Sequence, residues 1–147
     1  RLAQEGVETL RDGGMAYMGP TALGMLALVT RDANLRRAAL SEAEELLRGD
    51  SVSHNFLNFY PAAMETCLMN EQWDEVDRYA KALEEYTAAE PLPLTDFYIA
   101  RGRALARKGR GSCDVATIQN LQRLRDEAER IGLKFAMPRL EDALSSS

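Results

Sequence analysis

Histidine and cysteine are nearly missing from this sequence. His54 stands alone, and Cys67 and Cys113 are the only two cysteines. That leaves no recognisable zinc set and no disulfide framework. Basic residues are outnumbered, 18 Lys and Arg against 23 Asp and Glu, for a net charge of −5. A general nucleic-acid binder needs a basic surface to hold phosphates, so that class is disfavoured. Long apolar runs are also lacking. The uncharged stretch 13–30 is broken by Gly13, Gly14, Gly19, Pro20 and Gly24. A membrane span needs about 20 predominantly apolar residues, so 13–30 reads as a buried helix with its preceding turn. No signal peptide is visible. The chain opens at Arg1 rather than Met, so it reads as a piece of a longer protein, in a reduced, cytoplasmic setting.

What is present is a helical vocabulary. Hydrophobic residues make up 46% and charged residues 28% of the 147 positions, enough to bury one core. The stretch "RDGGMAYMGP" at 11–20 is echoed by "ERIGLKFAMP" at 129–138, with Gly14 over Gly132, Tyr17 over Phe135 and Pro20 over Pro138. Between them "YPAAMETCLMN" and "YIARGRALARK" continue the series. Pro20, Pro61, Ile99 and Pro138 follow at steps of 41, 38 and 39 residues. A period of this size marks an array of helix pairs.

The first helices of the pairs are expected at 16–30, 54–70, 94–109 and 133–144, and the second helices at 33–48, 73–88 and 114–131. Residues 1–12 read as the second helix of an earlier unit. Apolar stripes support the second helices: Leu35, Ala39, Ala43 and Leu46; Trp73, Val76, Ala80 and Leu83; Ile118, Leu121, Leu124, Ala128 and Ile131. Asp74 and Asp114 are expected caps, with Asp96 or Thr95 capping the helix after "EPLPL". Gly49 and Gly132 are expected stops. Asp74–Arg78 and Asp77–Lys81 are expected ion pairs on the wet side. Tyr98, Gly102, Leu105 and Gly109 share a face where helices approach closely, with Ala63 and Gly24 in similar roles. The prolines at 20, 61 and 138 fit either a first helical turn or a kink.

A helix pair with small residues in its first helix and a proline-bearing connection resembles a tetratricopeptide-type repeat. "MNEQWDEVDRYAKALEEYTAAEP" is similar to its turn and second helix. "VSHNFLNFYPAAMETCL", "WDEVDRYAKALEEYTAAEPLPLTDFYIARGRALARKGRG" and "EGVETLRDGGMAYMGPTALGMLALVT" are similar to the C-terminal helical region of bacterial class III adenylate/guanylate cyclase–ATPase multidomain proteins. The resemblance implies the non-catalytic tail of a signalling enzyme. No position matches the cyclase's metal-binding aspartates or the ATPase phosphate loop, so no catalytic, cofactor or metal residue is carried over. Alternatives are a peptide-binding adaptor, the repeat tail of an ATP-dependent transcription regulator, and a small stand-alone enzyme.

The expectation is therefore an all-α, right-handed superhelical array of antiparallel helix hairpins, a tetratricopeptide-like α-solenoid of 7–8 helices over 1–144, with 145–147 a disordered tail. Expected partners are other domains of the parent protein or a protein or peptide, with no nucleic acid and no membrane. The end segments 1–12 and 133–144 carry apolar faces expected to meet each other or a second copy in a homodimer. The candidate interaction surface comprises His54, Asn55, Asp96, Arg101, Arg103, Arg107 and Arg110. His54 and Asn55 open a first helix. Arg101, Arg103, Arg107 and Arg110, with Lys108, make "RGRALARKGR" the strongest positive run. "KGRGS" lacks the spacing of a phosphate loop. Glu42, Glu44 and Glu45, and Glu84 with Glu85, are read as solvated faces.

Overall fold

The computed structural model describes residues 1–11, 13–49 and 51–146. Among these the regular elements are helices: α1 (Leu2–Arg11), α2 (Met15–Val29), α3 (Ala33–Leu47), α4 (Ser53–Met69), α5 (Trp73–Thr87), α6 (Pro93–Gly109), α7 (Val115–Ile131) and α8 (Met137–Ser145). Short turns force consecutive helices to fold back on each other. The result is the expected array, with hairpins α2–α3, α4–α5 and α6–α7 stacked in chain order. The first helices α2, α4, α6 and α8 lie side by side.

Burial of the apolar stripes holds the stack together. Leu23, Phe59, Val76, Tyr79, Leu83, Leu121, Leu124 and Leu140 are almost wholly inside one contiguous core. Each such side chain contributes about 1.5–3 kcal/mol when covered. Leu35, Leu46, Trp73 and Ile118 sit half-buried at the margins, and Ile131 is exposed. The small residues fall where helices touch. A Cβ on Gly24 would come within 3.2 Å of Phe59, and Ala63 is fully buried.

Local signals fix most ends. Asp32 caps α3 by accepting from the Asn34 and Leu35 amides at 2.8 and 3.1 Å. Asp114 caps α7 through the Thr117 amide at 2.9 Å. The backbone bonds hold both carboxyls below their ordinary range, the Leu35 amide first for Asp32 and the Thr117 amide first for Asp114. Gly132 closes α7 with φ 77°, and Leu133 N donates to Ala128 O, as an αL stop requires.

Several expectations need correction. Asp74 is no cap: α5 begins one residue earlier, with Gln72 at the cap position. Neither Thr95 nor Asp96 caps α6, because Pro93 already serves as its first residue and the Thr95 hydroxyl donates to Leu92 O at 2.7 Å. Pro20 and Pro61 lie inside α2 and α4, whereas Pro138 sits in the first turn of α8. The segment expected to be helical from 133 opens instead as a 3₁₀ turn, Lys134–Ala136. A proline bars the carbonyl four residues back from an α-helical bond, so α8 begins beside Pro138. Two residues of the expected tail are ordered: α8 includes Ser145, and the Ser146 hydroxyl donates to Asp142 O; Ser147 lies outside the described residues. Among the described residues the end segments do not meet each other: α1 packs on α2, and α8 on α6 and α7.

Candidate functional site

The seven candidate residues scatter, and two of them are interior. Asn55 is fully buried. Its amide donates to Tyr17 O at 2.9 Å and Ser51 Oγ at 3.1 Å, and accepts from the Thr21 hydroxyl at 2.9 Å and the Thr21 amide at 3.4 Å. Tyr17 O and Thr21 N are an i, i+4 pair of α2 beside Pro20, so Asn55 braces that helix where a proline interrupts it. Next to it, the His54 ring meets Tyr17 edge-on at 5.1 Å. Its Nε2 is buried without a hydrogen bond among the described residues.

Arg101 is also buried. Its side chain donates to Ala136 O at 3.1 Å and to Glu65 at 2.7 Å. Arg139 of α8 reaches the other oxygen of Glu65 at 2.6 Å. Burial pushes the Glu65 carboxyl up, but Arg101 and then Arg139 outweigh it and leave it below its ordinary value.

The remaining arginines of the positive run are each engaged. Arg103 forks onto Glu84 at 2.9 and 2.7 Å, tying α6 to α5. Arg110 holds Asp74 at 2.7 Å and Asp77 at 2.8 Å. Arg107 reaches Asp114 at 3.3 Å. Asp96 is exposed at the start of α6, at the far end of that helix from Arg107 and Arg110. The stretch that looked like an open basic surface is thus largely neutralised by the chain's own acids.

Of the carboxylates read as solvated faces, Glu45, Glu84 and Glu85 are exposed as expected, whereas Glu42 and Glu44 are half-buried. Glu42 pairs with Arg11 at 2.7 Å. Glu44 accepts two bonds from Arg78, at 3.0 and 2.9 Å, and one from the Tyr79 hydroxyl at 2.6 Å. Burial raises the Glu44 carboxyl, yet the Arg78 and Tyr79 bonds together bring it below its ordinary value. The expected pairs Asp74–Arg78 and Asp77–Lys81 give way to Glu75–Arg78 and Lys81–Glu85. A signal for these clamps was in the chain. Glu44–Arg78, Glu65–Arg101 and Asp74–Arg110 are separated by 34, 36 and 36 positions, a little under one repeat.

One concavity is prominent. Above α6, between the ends of α4 and α8, lies a groove of about 600 Å³. Leu68, Trp73 and Leu105 give it an apolar lining, and Glu71, Asp142 and Arg139 edge it. Glu71 holds an αL backbone at φ 55°, a conformation that side-chain-bearing residues seldom adopt. Cys113 is exposed there with Lys108 Nζ at 3.3 Å. Cys67 is buried, and burial pushes its thiol up to about 12.

Among the described residues no group of three or more His, Cys, Asp or Glu is placed to hold a metal ion. No described helix is long and apolar enough to cross a membrane. Comparison with protein-family models, with curated proteins and with solved structures gave no match.

Proposed function

We propose that this chain is a non-catalytic regulatory segment that binds protein, the helical-repeat tail of a signalling protein of the adenylate/guanylate cyclase–ATPase type. The likeness of 5–30, 52–68 and 73–111 to such tails motivates the parentage. The observation that carries the binding role is the open groove between α4 and α8. Ion pairs consume most of the charge elsewhere on the stack, while this concavity keeps an apolar lining and a polar edge in reach of a partner. In this reading the array docks on its own ATPase or cyclase domain and biases its activity.

The test is cyclic-nucleotide production by the parent protein with and without the array. Equal rates in both forms would count against the regulatory role. The isolated chain is expected to turn over neither ATP nor GTP, and turnover would move it to the stand-alone enzymes. The groove also favours a second reading, an adaptor for a separate peptide. That reading predicts binding of a partner that is not encoded in the parent.

A further inference from the structure

The basic run that stands out in the sequence is neutralised, but a shorter one is not. The connection from α2 into α3 reads "TRDANLRR" (30–37) and carries Arg31, Arg36 and Arg37 against one acid, Asp32. The Asp32 carboxylate is already occupied by the Asn34 and Leu35 amides. Arg36 donates to Thr30 O at 3.0 Å, and Arg37 donates to the Asn34 side chain. Those neutral acceptors satisfy N–H groups without cancelling charge. Among the described residues none of the three arginines forms an ion pair, whereas all four arginines of 101–110 do. The placement also runs against the local field. The start of α3 is the positive end of its dipole, where acids are favoured. α5 follows that rule with Asp74 and Glu75 in its first turn, but α3 has no acid there. The negative end of α2 adjoins it and the two dipole ends roughly cancel, so the arginines set the sign of this turn. Arg36 is tied to the end of α2. Arg31 and Arg37 are exposed and meet no acid, so the packing gains nothing from their charge. Met25 and Val29, one turn apart on α2, are 48% and 60% exposed and lead up to the same turn.

We propose that the α2–α3 turn docks a short acidic segment of a partner protein. Its carboxylates lie on Arg31 and Arg37, and an adjoining apolar side chain lies on Met25 and Val29. Guanidinium groups take carboxylates in a two-point fork, as Arg103 takes Glu84 within this chain. The neighbouring turn decides against an extended polyanion. The pairs Tyr17–His54, Thr21–Asn55 and Gly24–Phe59 advance together, so α2 and α4 run parallel and end on the same side. The α4–α5 turn therefore presents exposed Glu71 and Asp74 on that side. A membrane surface or a nucleic-acid duplex would meet both turns and be repelled by one of them, whereas a short segment meets the arginines alone. This surface is separate from the groove between α4 and α8 and does not depend on what fills that groove.

The test titrates the intact, nitrogen-15-labelled chain with acetyl-Leu-Asp-Glu-Leu-Glu-Asp-amide and with the twin carrying Lys at each acidic position. The acidic peptide is expected to move the amide signals of 25–37 saturably, and the lysine twin to leave them in place. The double variant Arg31→Gln/Arg37→Gln should weaken the acidic peptide by about fivefold or more with the unfolding midpoint retained. The variant Arg130→Gln/Lys134→Gln makes the same change in net charge at the far end of α7 and should bind as the unaltered chain does. No saturable movement, movement centred on other residues, an equal response to the lysine twin, or equal weakening in both variants would overturn the assignment. Association with phosphatidylserine vesicles by a chain that ignores the acidic peptide would overturn it in favour of a membrane surface.

Discussion

Glu65 on α4 holds Arg139 on α8 at 2.6 Å, reaching past the intervening α6, whose Arg101 takes its other oxygen at 2.7 Å. Three first helices are therefore pinned at one carboxylate, 28% exposed, with an Arg101 side chain only 5% exposed. Replacing Glu65 by Ala strands the Arg101 charge inside the array, and stability should fall by about 3 kcal/mol. Urea unfolding measures it. Adding Arg101→Met should recover part of the loss, and no recovery would show that the stranded charge is not the cause.

Acid should loosen the array before it melts it. The Glu65 and Glu44 carboxyls both lie below their ordinary value of 4.5. Between that value and their native ones, the unfolded chain binds protons that the native chain does not, so stability rises with pH there. The contribution is complete above about pH 5 and is lost as pH falls through the native values. Melting temperature against pH should show this slope, flattened in Glu65→Gln/Glu44→Gln.

Asn55 is a brace, and the expectation is a loss of stability rather than of binding. Asn55→Ala leaves Thr21 and Tyr17 O without their buried partner, at a cost of about 1–3 kcal/mol. A variant as stable as the parent in urea would contradict this role.

Two helix glycines should respond differently to alanine. Replacing glycine within a helix gains about 1 kcal/mol of propensity. At Gly102 the new methyl meets the flexible Met64 sulfur at 3.1 Å and Val76 at 3.3 Å, so the gain and the crowding roughly cancel. At Gly109 it meets the Trp73 ring at 2.5 Å, so the ring must move. Gly109→Ala should shift Trp73 emission and lower stability by about 1–3 kcal/mol, and unchanged emission would refute the contact.

The two thiols should differ sharply in reactivity. At pH 8 a thiolate-trapping reagent should label Cys113, which is exposed, and leave Cys67, whose thiol is pushed up to about 12 by burial, unreacted. Denaturant should release the second equivalent. Two equivalents from the folded chain would show α4 to be open there.

Helices were legible because their signals are local. The stripe Val76, Ala80 and Leu83, the cap Asp114 and the stop Gly132 each depend on neighbours within a few positions. Partners left only the fainter signal of a spacing near one repeat, because they lie on neighbouring hairpins. Asp77 has Lys81 four positions on, yet its bond goes to Arg110, just past the end of α6, at 2.8 Å. "RGRALARKGR" looked like a surface because charge in a sequence carries no information about what faces it. Asn55 looked like a helix-start residue, and only the proximity of α2 made it interior.

By itself the sequence determined an all-helical array, its period and part of its core, since apolar spacing and burial act through short range and repetition. Tertiary structure alone decided that Glu65 would gather two arginines, that the basic run would be neutralised, and that a groove would open over α6. Those outcomes depend on how far apart and at what angle stacked hairpins lie, and that distance is set by the packing of whole side chains rather than by their order along the chain.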